Sequence, residues 1–291
     1  MVTVSVCGAA ERDQAIALMH EEFIASRGRS LSLLERFPAA FAQPDATLLA
    51  AREGERMVAA LLMRPFAWRT PQGVLRGVMI GMVCTHREHR GKGLGSALMA
   101  EAARLLQGRA DFGVLWTTQP DFYRRLGWVP ADCGVLGRMQ GEGAAPVMIA
   151  GEVDALLPQI HAAREAQDGK RVERSLEHSL ACYRTLLPPA VAREALMIGG
   201  SYALIGRMDD NAYVYELGGD SRGIAALGDA LKARYAAITL NLMRGSLAHQ
   251  SLASRPDIVW SGQSLAMWLP VSGAVDMARV ASWYIPFLDR I

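Results

Sequence analysis

The sequence predicts an α/β (α+β) fold in which a mixed central sheet with flanking helices is built twice, in tandem. Three observations lead there. Strand-like segments alternate with helix-period stretches along the chain. From Met79 to Met99, an apolar strand runs through a basic, glycine-rich loop into a helix. The order of elements in the first half then returns in the second, which marks a duplication. With 291 residues, 51% of them hydrophobic, the chain can bury a large core, and two domains are expected, 1–142 and 143–291.

Taken in order, Thr3–Cys7 alternates as a strand does. Ala10–Arg27 carries Ile16, Leu18, Met19, Phe23 and Ile24 at helical spacing and ends in Ser-Arg-Gly. Leu31–Phe41 reads as a second short helix. Thr47–Arg52 and Met57–Trp68 are strands hinged at Glu53-Gly54-Glu55, and Thr70–Gly73 turns the chain into a long strand, Val74–Thr85. Leu94–Gly108 is a helix with glycine as its stop, Phe112–Thr118 an apolar strand, and Tyr123 falls on a short helix closed by Gly127. In the second half, Glu152–Gln167 and Arg171–Leu187 read as helices. Ala195–Ile198, Tyr202–Arg207 and Ala212–Leu217 follow as strands, then Ser221–Tyr235 as a helix and Ala237–Leu242 as a strand.

Composition narrows the function. Lys+Arg 31 against Asp+Glu 29 gives no bulk charge for a nucleic-acid or membrane surface. Cys7, Cys84, Cys133 and Cys182 lack metal or disulfide spacing and read as reduced thiols. No leader and no membrane-length apolar run is evident, so a soluble cytoplasmic protein is expected.

The chemistry concentrates at the glycine loop. Gly91, Gly93 and Gly95 allow close approach to the backbone, and the helix from Leu94 directs free N–H groups and its dipole at the same place. Arg90 and Lys92 add positive charge. Phosphate is the natural guest, and three loop types compete for the reading. Walker spacing fails here. A dinucleotide fold would need Gly-x-Gly-x-x-Gly and an acid at the end of the next strand, whereas these glycines alternate and Asp111 precedes that strand.

The third type fits. Arg90-Gly-Lys-Gly93-Leu-Gly95 resembles the Arg/Gln-x-x-Gly-x-Gly/Ala signature of the GCN5-related N-acetyltransferases (GNAT), and Phe122-Tyr-Arg-Arg-Leu-Gly-Trp128 resembles their downstream aromatic motif. The second half lacks both. Its loop, Leu217-Gly-Gly-Asp-Ser-Arg-Gly-Ile224, carries Asp220 where phosphates would sit, so this copy is expected not to bind the cofactor. A live unit followed by a degenerate one resembles the tandem Eis-like acetyltransferases, without their sterol-carrier-like domain.

That resemblance implies acetyl-CoA as cosubstrate and N-acetylation of an amine on a small molecule or a protein. It leaves a homo-oligomer open and gives no role to nucleic acid, membrane or metal. The implied cofactor set is the main chain of Val83, Cys84 and Thr85 for the pantetheine arm, with Arg90, Gly91, Lys92, Gly93, Leu94, Gly95 and Ser96 for the pyrophosphate. Thr118, at the end of the next strand, completes it.

By the same resemblance Tyr123 is the general acid for the departing thiolate, with simple packing as its bland alternative. The base is less evident, because Gly77–Thr85 carries no carboxylate. The terminal carboxylate of Ile291, at the end of an aromatic tail expected to dock between the halves, is one candidate. A tail that only pins the domains together is the other. His86 and His89 are expected to be solvated or near the phosphates, and no third metal ligand is apparent. Glu21, Glu22, Glu35 and the Arg69–Gly73 turn lie where acceptor specificity sits, although Glu21 and Glu22 read equally as a solvated helix face. The rival class is a non-catalytic acyl-CoA-binding module of the same fold. A transferase for longer acyl chains, decided by space near Met63, Met79 and Met82, is a further alternative.

Overall fold

A computed structural model describes residues 2–29, 32–41, 45–143, 153–167, 171–173, 175–176, 192–208, 211–276, 280 and 283–291. Its strands are β1 (Val2–Val6), β2 (Thr47–Glu53), β3 (Arg56–Thr70), β4 (Gly73–Thr85), β5 (Phe112–Trp116), β6 (Val129–Pro130), β7 (Gly134–Gln140) and β8 (Arg171–Val172). They continue with β9 (Ala192–Ile198), β10 (Ser201–Met208), β11 (Asn211–Gly218), β12 (Ala237–Met243), β13 (Val259–Gly262) and β14 (Ala266–Pro270). The described helices are α1 (Ala9–Phe23), α2 (Leu33–Arg36), α3 (Pro38–Phe41), α4 (Leu94–Leu106), α5 (Pro120–Arg124), α6 (Val153–Glu165), α7 (Ser221–Arg234) and α8 (Leu247–Leu252). Among them none is long and apolar enough to cross a membrane.

Most elements fall where periodicity puts them. The expected helix at Leu31–Phe41 instead divides in two. Ser32 caps α2 through the Glu35 N–H, and Pro38 opens α3, where a residue without an N–H costs nothing. The first helix stops at Phe23 and closes through a 3₁₀ turn, Ala25–Arg27, onto Gly28 at φ 64°. The expected helix at Arg171–Leu187 begins instead as β8, paired to Trp68 and Arg69, and its residues 177–187 lie outside the described set, as does Cys182.

Two sheets result. The first runs β1-β2-β3-β4-β5-β14-β6 with β8 on β3, and the second runs β13-β7-β12-β11-β10-β9. Both are mixed, with one parallel step each, β4 to β5 and β11 to β12, bridged by α4 and α7. The sheets do not part at residue 142. β7, from the first half of the sequence, pairs with β12 in the second sheet, and β14, from the second half, pairs with β5 in the first. Short strands after Trp128 gave no periodic signal strong enough to reveal this exchange.

The exchanged strand β14 carries the core with it. Trp268 is buried, 5.5 Å from Phe112 and 5.5 Å from Trp283, and its indole N–H donates to the Ala131 carbonyl at 2.6 Å. Trp68 and Val280 join the same cluster. Trp268→Ala should therefore lower stability by about 3–5 kcal/mol in chemical denaturation. A loss below about 1 kcal/mol, the scale of an average substitution, would contradict this packing.

Candidate active site

Strand β4 forms the axis of the site. On its β3 side the register slips: Ala60 faces Cys84 and Leu62 faces Gly81, so Met82 and Val83 stand against Leu61 alone. Met82 takes φ 53°, a left-handed value rare for a side chain of this kind, and this bulge bends the strand. On its β5 side only Gly77, Val78 and Met79 are paired, with Phe112, Gly113 and Val114. β14 pairs with β5 along its other edge, and past Met79 the β5-facing edge of β4 runs on to Thr85 with no partner strand among the described residues. Val83, Cys84 and Thr85 thus lie on the unpaired stretch. The Cys84 thiol is buried, and burial pushes it up to about 12, so it is no nucleophile at neutral pH.

The glycine loop continues from this stretch through the 3₁₀ turn Arg87–His89. Gly91 and Gly93 both sit at φ 77°, and a Cβ on either would meet no atom within 4 Å, so the space above the loop is open. Gly93 begins α4 with no side-chain cap, and among the described residues no acceptor takes the N–H groups of Gly91 to Ser96. Gly95 packs more closely, with its Cβ position 3.3 Å from the Phe122 ring. Lys92 is exposed on the loop, and Thr118 is exposed just past β5.

Arg90 is already engaged. Its guanidinium pairs with the Glu22 carboxylate, and its Nε donates to the Thr85 carbonyl at 3.2 Å. Glu22 is not on a solvated face, in contrast to Glu21: its side chain is 6% exposed, and it also accepts the Arg87 N–H at 3.2 Å. The sequence held a signal for this. Ala15, Leu18, Met19 and Glu22 form the buried stripe of α1 at helical spacing, with Glu22 as its last member.

The histidines also differ from expectation. His89 is buried, with Nε2 3.0 Å from Glu53 Oε2. His86, Glu88 and His89 bring ligand atoms within 4.8 Å of one another, so a third potential metal ligand is present after all. Arg56 nevertheless places its guanidinium 3.3 Å from His86 Nε2 and 3.2 Å from Glu88 Oε2, where its charge would oppose a divalent cation.

Tyr123 lies on α5 beside Phe122, the residue whose ring meets the Gly95 position. Its ring stands edge-on to Phe122 at 4.8 Å and to Trp128 at 6.4 Å, so it does pack. Its hydroxyl has no hydrogen-bond partner among the described residues, and burial raises its pKa above 10. The group stays a neutral phenol throughout the physiological range.

The tail meets β4 from the other side. A Cβ on Gly81 would lie 2.9 Å from Ile291 Cγ1 and 3.2 Å from the Ile291 carbonyl carbon, so glycine makes room for the end of the tail at the bulge. Upstream, Trp283 and Ile285 pack with Trp68 and Trp268, whereas Leu288 packs with Leu157, Ile160 and Tyr202 of the second half. Arg64 of β3 donates to the Asp289 carbonyl, and Arg164 of α6 approaches the Asp289 carboxylate at 3.8 Å. The Arg290 guanidinium lies 5.0 Å from the Trp116 ring and 5.1 Å from the Tyr284 ring. The tail thus touches residues of both halves.

The second half repeats the strands but closes the loop. Tyr215 is the bulged residue of β11, and pairing between β11 and β12 ends at Val214. Asp220 caps α7 by accepting the Gly223 N–H at 2.8 Å, and the Ser201 hydroxyl accepts the Asp220 N–H at 3.1 Å. A Cβ on Gly219 would fall 2.1 Å from Ser201 Oγ, so the turn is filled by the protein's own atoms.

Comparison with known proteins agrees with this geometry. Residues 5–131 match the family model for the acetyltransferase (GNAT) domain. A probable N-acyltransferase from Enterococcus faecalis V583 superposes with a TM-score of 0.73 at 15% identity, covering 93% of this chain and 73% of that one. Eis1 from Mycobacterium abscessus gives 0.68 at 16% identity, with 94% and 74% covered. A tandem GNAT protein from the clavulanic acid biosynthesis pathway gives 0.54 at 12% identity, with 94% and 99% covered. At such identities the likeness shows the fold alone, and that fold is a tandem GNAT. No curated protein matches the sequence.

The Tyr123 environment gives a direct test. Because its folded pKa lies above the unfolded value of 10, the phenol contributes stability below pH 10 that is lost as pH rises through its folded pKa. A spectrophotometric titration compared with Tyr123→Phe should show one phenol ionising above 10. A midpoint at or below 10 would contradict the buried placement.

Proposed function

We propose that this protein is an acetyl-CoA-dependent N-acetyltransferase acting on a primary amine of a small molecule or a protein. One observation carries the reading: an uncapped helix start and an open glycine loop lie directly beyond the point where β4 and β5 part. This is an anion site joined to a slot lined by unpaired main chain. Acetyl-CoA would supply the activated acetyl group. The main chain of Val83 and Thr85 would pair with its extended arm, and the N–H groups of Gly91 to Ser96 would hold its pyrophosphate.

Tyr123 keeps its proton until the departing sulfur needs it, as a phenol with a raised pKa can. Cys84 remains a thiol, which favours direct transfer to the amine over a covalent acyl-enzyme. The carboxyl group of Ile291 at Gly81 is the group proposed to take the proton from the amine, and it answers the lack of a carboxylate on β4. In the second half Asp220 caps the helix start at the Gly223 N–H and Ser201 fills the turn at Gly219, so one acetyl-CoA per chain is proposed.

Calorimetric titration with acetyl-CoA should give one site per chain. Two sites would overturn the reading of the Asp220 loop, and none would favour a module that has kept the fold without the activity. Thiol release in the presence of amines separates an enzyme from an acyl-CoA-binding module. In that assay Tyr123→Phe should lower turnover by about a hundredfold or more at unchanged acetyl-CoA affinity. Equal turnover would remove Tyr123 from the mechanism. Deleting Ile291 alone should also depress turnover in a folded protein, and full activity would end its role as base.

A further inference from the structure

The buried carboxylate of Glu22 is a puzzle for α1. It lies in the last turn of that helix, where the dipole disfavours negative charge, and its side chain is 6% exposed. A buried charge persists only when paired and hydrogen-bonded. Both of its partners lie on the segment that leads into the glycine loop. Arg87 gives its main-chain N–H at 3.2 Å, and Arg90 gives its guanidinium. Arg90 in turn donates to the Thr85 carbonyl at 3.2 Å. One carboxylate therefore ties α1 to the end of β4 and to both ends of the 3₁₀ turn Arg87–His89, immediately before Gly91.

This matters because the loop beyond has little else to fix it. Gly91 and Gly93 are in left-handed conformations with open space above them, and glycine is the residue that loses most freedom on ordering. We infer that Glu22 is a positioning residue that holds the glycine loop in its anion-binding conformation through Arg87 and Arg90. It touches no reacting atom. The inference rests on the acetyl-CoA reading of the loop, but the state of the loop can be measured without any ligand. It also links α1 to the glycine loop, so a change in one reaches the other through a single side chain.

The test uses the full chain with Glu22→Ala and Glu22→Gln. In the absence of ligand, amide hydrogen exchange at Arg87, whose N–H the Glu22 carboxylate accepts, should rise about tenfold in Glu22→Ala, the factor expected when a hydrogen bond to a charged group is lost, and the backbone NMR order parameters of Gly91–Ser96 should fall. Exchange in β9–β12 should not change. Glu22→Gln keeps an acceptor for the Arg87 N–H and should fall between the two, which also covers the case in which the alanine variant fails to fold. Acetyl-CoA affinity should weaken in parallel, raising KM with kcat nearly constant. Unchanged order parameters over Gly91–Ser96 in a folded Glu22 variant would overturn the inference. So would wild-type protein that binds acetyl-CoA no more tightly than Glu22→Ala does. Wild-type protein that does not bind acetyl-CoA would instead overturn the proposed function.

Discussion

Everything at this site depends on β4 and β5 parting after three residue pairs. Main-chain N–H and C=O groups inside a protein need partners, and a sheet normally supplies them. Here the pairing of β4 with β5 stops at Met79, the bulge at Met82 bends β4 further on, and β14 occupies only the opposite edge of β5. The stretch from Ile80 to Thr85 is left with one edge unpaired by any strand among the described residues. An extended molecule with its own amides suits such an edge, because it can act as a missing strand. The uncapped start of α4 then stands where the far end of that molecule would arrive, and the end of the tail lies at Gly81.

The second half clarifies the first by contrast. It keeps the bulge, at Tyr215, and the short parallel rung between β11 and β12. What differs is how the helix amides are satisfied. Asp220 takes the Gly223 N–H and Ser201 takes the Asp220 N–H from within the protein, and Phe287 of the tail stacks on Tyr215 at 5.1 Å. The tail thus runs from one bulge to the other, and the second half has become the seat that holds it. Arg164, contributed by α6, is buried among Glu216, the Val172 carbonyl and Asp289, so the seat is polar as well as apolar.

The glycine loop, the helix after it, the aromatic motif and the repeated order of strands could all be read from sequence. Each depends on neighbours within about twenty residues, and local pattern carries that information. The fate of single side chains depended on distant partners. Glu22 looked like one more acid on a helix face, because nothing local tells that Arg87 and Arg90, some 65 residues on, will meet it. His89 looked solvated until Glu53 and the β2–β3 turn were in place. The boundary at 142 failed as a sheet boundary for the same reason, since β7 and β14 are short and choose their sheets by tertiary pairing.

That exchange has a consequence for how the chain folds as it is made. Trp116 of β5 pairs with Ala266 of β14, 150 positions later. At a synthesis rate of about 5–20 residues per second, β5 waits on the order of ten seconds with one edge bare. Strand β7 waits in the same way for β12. Bare, apolar strand edges invite pairing with other chains. The nascent protein therefore passes through a long interval in which neither sheet can close, and the two then close almost together. Crowding on the ribosome, or any pause between β7 and β12, should weigh more on the yield of folded protein than the stability of the finished molecule does.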